Sequence, residues 1–134
     1  MTAARDRVDR IRAICLDLPG AVERPFGGHT SPAFRVRDKM FAVVSEDMTS
    51  MTLKAPPGVQ GILVASDPER FFVPKYVGSK GWIGVRLEAG RGSGTSGARG
   101  DVLDWEEMAE LIYESYCLMA PKRLLAQWEA RQEK

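Results

Sequence analysis

His29-Thr30-Ser31-Pro32-Ala33-Phe34-Arg35-Val36-Arg37-Asp38-Lys39-Met40-Phe41-Ala42-Val43-Val44 reads as two β-strands joined by a tight Arg37-Asp38-Lys39 turn. Ala33 to Val36 forms the first strand and Lys39 to Ser45 the second. Simple alternation puts Phe41 and Val43 on one face and Met40, Ala42 and Val44 on the other. A strand that is apolar on both faces belongs in the middle of a sheet or under a cover.

Working outward, Val8, Ile11, Ile14, Cys15 and Leu18 recur at helical spacing, and Pro19-Gly20 ends that first helix. After the hairpin, Thr49 to Lys54 alternates again, with Met51 and Leu53 against Thr52 and Lys54. Pro56-Pro57 opens a short helix whose apolar side is Val59, Ile62 and Leu63. Phe71 to Val77 reads as a strand interrupted by Pro74, which suits an edge or a bulge. Trp82 to Glu88 sets Ile83, Val85 and Leu87 against Trp82, Gly84, Arg86 and Glu88. Residues 89–100 form a Gly/Ser-rich loop without a phosphate-cradling GxxxxGK[ST] pattern. Asp104, with Glu107 three residues on, caps a long helix with Trp105, Met108, Leu111, Ile112, Ser115, Tyr116 and Met119 inward. Pro121 starts a last helix docked by Leu124, Leu125 and Trp128.

The order is helix, about five strands, two helices. Short connections make the sheet antiparallel, and the terminal helices must cover one face of it. The expected fold class is therefore an α+β two-layer sandwich in one domain spanning residues 1–134. The chain has 134 residues, 44% of them hydrophobic and 28% charged, enough for a core without disulfides or metal. Cys15 and Cys117 lie in apolar helical contexts and read as buried, reduced thiols. The N-terminus has no apolar stretch of signal-peptide type, and no apolar run approaches a membrane span. A cytoplasmic protein, either a monomer or a weak homodimer, is expected.

Catalytic residues are sparse. His29 is the only histidine, it sits in a Gly27-Gly28-His29-Thr30-Ser31 loop, and no nucleophile motif accompanies it. One histidine and two separated cysteines do not make a zinc site, and no acidic spacing fits a calcium loop. Neither a metal nor a cofactor is expected. The informative feature is a sheet face. Arg35, Arg37, Thr52, Lys54, Trp82 and Arg86 share the side opposite the helices, with Lys75, Tyr76 and Lys80 nearby. Lys and Arg are ordinary on a solvated antiparallel face. Interleaved with aromatic rings they also suit a polyanion, or a small acidic or aromatic molecule.

Taken together, Leu18-Pro19-Gly20, Pro32 to Val36 running into Lys39-Met40-Phe41-Ala42, Thr52-Leu53-Lys54, Phe72 to Val77, Gly81 to Val85 and Leu111 to Tyr116 resemble the MmcQ/YjbR-like family. The resemblance covers nearly the whole chain and implies a CyaY-like fold. It also implies DNA binding, a role described for the family largely by analogy of shape. Phe34, Lys39, Lys54, Tyr76 and Trp82 match family-typical positions and are carried over as candidate site residues. The expected function is a non-enzymatic binding protein that engages DNA through the face bearing Arg35, Arg37, Lys39, Lys54, Lys75, Tyr76, Lys80, Trp82 and Arg86, with Phe34 and His29 as further candidates. The alternative is a small-molecule binding protein with a pocket near Phe34, Tyr76 and Trp82.

Overall fold

The computed structural model describes residues 3–24, 32–87 and 104–132. Within them the chain forms α1 (Ala3–Leu16), β1 (Ala21–Glu23), β2 (Ala33–Val36), β3 (Lys39–Val44), β4 (Ser50–Lys54), α2 (Val59–Ser66), β5 (Phe71–Phe72), β6 (Trp82–Arg86), α3 (Trp105–Met119) and α4 (Lys122–Gln132). The strands make one antiparallel sheet of six in the order β1-β2-β3-β4-β6-β5. The sheet has one strand more than expected. β1 is only three residues long and carries no alternation of its own. It pairs with β2, and Arg12 of α1 grips its Glu23 with a fork of hydrogen bonds at 2.7 and 3.1 Å.

The helix-facing side of the sheet carries Phe34, Val36, Met51, Leu53, Ile83 and Val85, and α1 and α3 close over them with Val8, Ile11, Cys15, Met108, Ile112 and Tyr116. Asp104 caps α3 by accepting from the amides of Glu106 and Glu107 at 3.1 and 3.2 Å. The β2–β3 turn needs only Arg37 and Asp38, both left-handed at φ 54° and 69°. That turn type matches the twist of a hairpin. Lys39 already belongs to β3.

The hairpin departs from simple alternation at one place. Phe34 pairs with Ala42 and Arg35 with Met40, so Phe41 is an extra residue in β3. This β-bulge lets Phe41 and Ala42, adjacent in sequence, both be fully buried, and leaves Met40 and Val43 on the outer side. It also opens the β3–β4 ladder next to the Ala42–Leu53 pair, where the Phe41 carbonyl and the Lys54 amide would otherwise meet. Ser115 fills the gap. Its hydroxyl donates to the Phe41 carbonyl at 2.6 Å and accepts from the Lys54 amide at 2.9 Å. The next residue, Tyr116, sets its ring edge-on to Phe41 with centroids 5.5 Å apart and donates its hydroxyl to the Pro19 carbonyl at 2.6 Å.

Two smaller expectations are corrected. The Phe71–Val77 strand ends after Phe72, because Pro74 has no amide to donate and the chain turns into the 3-10 segment Gly78–Lys80. In α2, Ile62 faces solvent, 67% exposed, while Val59, Leu63 and Val64 pack on the core. Cys15 is buried and Cys117 half-buried, both as free thiols.

Two stability predictions follow from this core. Ser115→Ala would leave the buried Phe41 carbonyl and the part-buried Lys54 amide unpaired and should cost about 2–4 kcal/mol in urea unfolding, against about 1 kcal/mol for Tyr116→Phe. A Ser115→Ala loss no larger than that of Tyr116→Phe would contradict the bridging role. Burial, and then the charge of Glu23, push the Cys15 thiol well above its ordinary range. A pKa raised in the folded state stabilises fully below the unfolded value and is lost as pH rises beyond it. Stability should therefore fall by about 1.4 kcal/mol per pH unit above a pH of about 8.5 from this thiol alone. Unfolding titrations of Cys15→Ala should lack that share of the alkaline slope.

Candidate functional site

The outer face of the sheet is built by the register. Val43, Thr52, Gly84 and Phe72 lie across it in one row, Lys54 pairs with Trp82 in the next, and Ser50 pairs with Arg86 on the other side. Arg35 continues this face on β2, where its guanidinium donates weakly to the Asp38 carbonyl at 3.4 Å. The Phe72 ring covers Gly84 so closely that a Cβ there would come within 2.3 Å of it. Arg86 lies over the same ring at 4.7 Å and donates to the Pro68 and Glu69 carbonyls at 3.0 and 3.2 Å. Its charge is thus held down at the β5 side.

Strand direction gathers the other basic residues. β3 leaves the Arg37-Asp38 turn, β4 ends at Lys54, and β6 begins at Trp82, so all three meet at one end of the sheet. The segment after β5 runs to the same end, where the Lys80 amide donates to the Val77 carbonyl at 3.0 Å. Lys54 Nζ donates to the Lys80 carbonyl at 2.8 Å, which ties β4 to this segment. Gln60 of α2 fixes it from the other side by donating to the Gly78 and Trp82 carbonyls, both at 2.7 Å. Arg37, Lys39, Lys54, Lys75 and Lys80 therefore share one end, with Tyr76 and Trp82 among them. Asp38 is the one carboxylate on these turns, and Arg24 pairs with it at 2.9 Å.

Tyr76 is the most exposed large hydrophobic side chain of the described residues, at 94%, and its backbone is left-handed at φ 70°. Its neighbours explain both features. Pro74 and Gly78 are buried on either side, and a Cβ on Gly78 would meet Val73 at 2.4 Å. Packing at these two positions projects the ring between them into solvent. A non-glycine residue held in this conformation costs free energy that the surrounding packing must supply.

The opposite end of the sheet is acidic. Glu46 and Asp47 occupy the β3–β4 turn, and Asp67 and Glu69 precede β5. Hydrogen bonds from Thr49 and then Ser45, both hydroxyls at 2.7 Å, hold the Asp47 carboxyl below its usual range. With Arg70 and Arg86 against these four carboxylates, that end is negative on balance and the other positive, although the whole chain carries a formal charge of only +1.

Not all expected site residues join this surface. Phe34 is fully buried on the helix-facing side, so the expected pocket uniting it with Tyr76 and Trp82 is corrected: β-strand alternation sends Phe34 and Arg35 to opposite faces. Arg86 is on the outer face but stands apart from the basic end. His29 and the Gly/Ser-rich loop 89–100 lie outside the described residues. A groove of about 460 Å³ lies instead in the helix layer, between α1, α3 and α4. Nothing in the sequence marks its lining residues Arg10, Tyr113 and Trp128 as a site: Arg10 reads as the charged face of a helix, Trp128 as a docking residue, and Tyr113 falls within the Leu111–Tyr116 stretch. Among the described residues no group of three or more His, Cys, Asp and Glu side chains could hold a metal ion, and no helix is long and apolar enough to cross a membrane.

A comparison with curated protein sequences returned no significant match. Among solved structures the chain is similar to protein DR2400 of Deinococcus radiodurans, a crystal structure with a DUF419 domain. The two are 25% identical with a TM-score of 0.66, over 83% of this chain and 76% of that one. The model of the YjbR family matches residues 16–118, from the end of α1 through the β-sheet to the last turn of α3. The match takes in the bulged hairpin, the basic end of the sheet and the Ser115-Tyr116 pair that supports them, and the chain belongs to the YjbR family.

Proposed function

We propose that this protein is a non-enzymatic binding protein that engages DNA through the basic end of its sheet. One observation carries the reading. Five cationic side chains, Arg37, Lys39, Lys54, Lys75 and Lys80, converge on turns whose single carboxylate is already neutralised by Arg24. Phosphates supply the matching charge, and releasing their counterions supplies the driving force. Tyr76 and the half-buried Trp82 stand among these cations as flat rings, and aromatic rings stack on unpaired bases whatever the base sequence. The reading favours backbone recognition with little sequence preference, since backbone contacts carry no sequence information.

Fluorescence anisotropy of labelled single strands and duplexes, at low and at physiological salt, tests it. Affinity should fall with salt by about 0.9 log unit per log unit of salt for each phosphate contact on duplex and about 0.7 on single strands. The double reversal Lys39→Glu/Lys80→Glu should remove binding at low salt, while Arg86→Gln at the other end leaves it nearly unchanged. Tyr76→Ala should weaken single-strand binding by about 1–3 kcal/mol and duplex binding much less. No binding at low salt, or binding that survives the double reversal, overturns the proposal.

A further inference from the structure

The groove in the helix layer has a chemistry of its own. Its apolar lining is Ile14 of α1, Leu18 just beyond the end of α1, Tyr113 of α3 and Trp128 of α4, the two rings 5.9 Å apart and inclined at 32°. At about 460 Å³ it falls within the size range of small-molecule sites. Arg10 of α1 and Asp17, whose amide still bonds the Ala13 carbonyl just past the helix end, also line it, about 10 Å apart at the helical rise.

The two charges are in different states. Arg131 donates to the Asp17 carboxylate and to its backbone carbonyl, both at 2.9 Å, and also lies 5.0 Å over the Trp128 ring. Asp17 is therefore neutralised, and the same arginine braces Trp128. Arg10 has no ion pair among the described residues. Its guanidinium stacks 4.7 Å over Trp105, which fixes its plane and leaves its N–H groups without a carboxylate. Burial, and then a hydrogen bond with Cys117, push the Tyr113 hydroxyl up to about 12, which leaves this wall uncharged. An apolar slot with aromatic and aliphatic walls, a neutral hydroxyl and one uncommitted guanidinium is complementary to a flat apolar anion.

We infer that the groove between α1, α3 and α4 binds a planar aromatic carboxylate, with its ring between Ile14 and the Tyr113–Trp128 pair and its carboxylate on Arg10. The arginine fork matches the two carboxylate oxygens, and offset or tilted ring contacts hold the body. The site lies in the helix layer and shares no residue with the basic end of the sheet, so it stands or falls apart from DNA binding.

The test uses 2-naphthoate as the probe and 2-naphthylmethanol as its uncharged counterpart, followed by calorimetry and by the amide and indole signals of the 15N-labelled protein. Naphthoate should bind saturably and shift Ala109, Tyr113 and the Trp128 indole, at least about tenfold more tightly than the alcohol. Arg10→Gln changes an exposed side chain and should bring naphthoate down to the alcohol's affinity while leaving the alcohol's unchanged. Ala13→Met, which narrows the groove from its exposed lip, should weaken both. No saturable shift of the groove signals, equal affinity for acid and alcohol, or naphthoate binding indifferent to Arg10→Gln each overturns the inference.

Discussion

The structure depends on how two backbone groups find partners inside it. The extra residue in β3 leaves the Phe41 carbonyl and the Lys54 amide without each other, and in a buried setting neither can stay unpaired without a cost comparable to a lost hydrogen bond. Ser115 answers both with one hydroxyl. Tyr116 then places its ring on Phe41 and its hydroxyl on Pro19. Two adjacent residues of α3 therefore join the bulge, the middle of the sheet and the corner where α1 turns into β1. A serine at an inward helical position is poor packing by itself; here it is the piece that lets a bulged sheet close against a helix.

The bulge also determines what the outer face presents. Without the extra residue, alternation along β3 would continue unbroken, and a slip of one residue exchanges the two faces of a strand. With it, Phe41, Ala42 and Val44 all face inward, while Arg35, Met40 and Val43 line the outer side with Thr52 and Lys54. The ladder then stops at Lys54, whose side chain reaches across to the Lys80 carbonyl. The basic end of the sheet is thus a consequence of the same register that buries the core.

Much of this was legible in the chain. The α+β class, the hairpin, the inward set Met51, Leu53, Ile83, Val85 and Leu87, and the Asp104 cap of α3 follow from period and capping alone. What was not legible has a physical reason in each case. β1 is three residues long and exists because β2 and Arg12 receive it, not because Ala21-Val22-Glu23 favour a strand. The Phe41 bulge cannot be seen in an alternating pattern that reads equally well without it, and that pattern sends Phe41 and Ala42 to opposite faces. Resemblance alone makes Phe34 a site candidate, whereas its own alternation with Arg35 points it inward. Alternation places the basic residues on a face; their concentration at one end depends on strand order, which sequence does not display. The groove needed three helices to be placed together before Arg10, Tyr113 and Trp128 could be neighbours.

A near-neutral total of 19 basic against 18 acidic residues gives no global attraction for a polyanion. That total decides the matter only for a ligand that feels the whole surface at once. Along β3 the basic turn and the acidic Glu46-Asp47 turn are separated by the length of a six-residue strand, about 17 Å. At physiological ionic strength charges are screened beyond about 8 Å. A phosphate at Lys39 or Lys80 therefore responds to the cations within one screening length and hardly at all to Asp47 at the far end. The carboxylate that could oppose it, Asp38, is held by Arg24. What governs attraction at this end is the local sum, and fold topology rather than composition makes that sum positive.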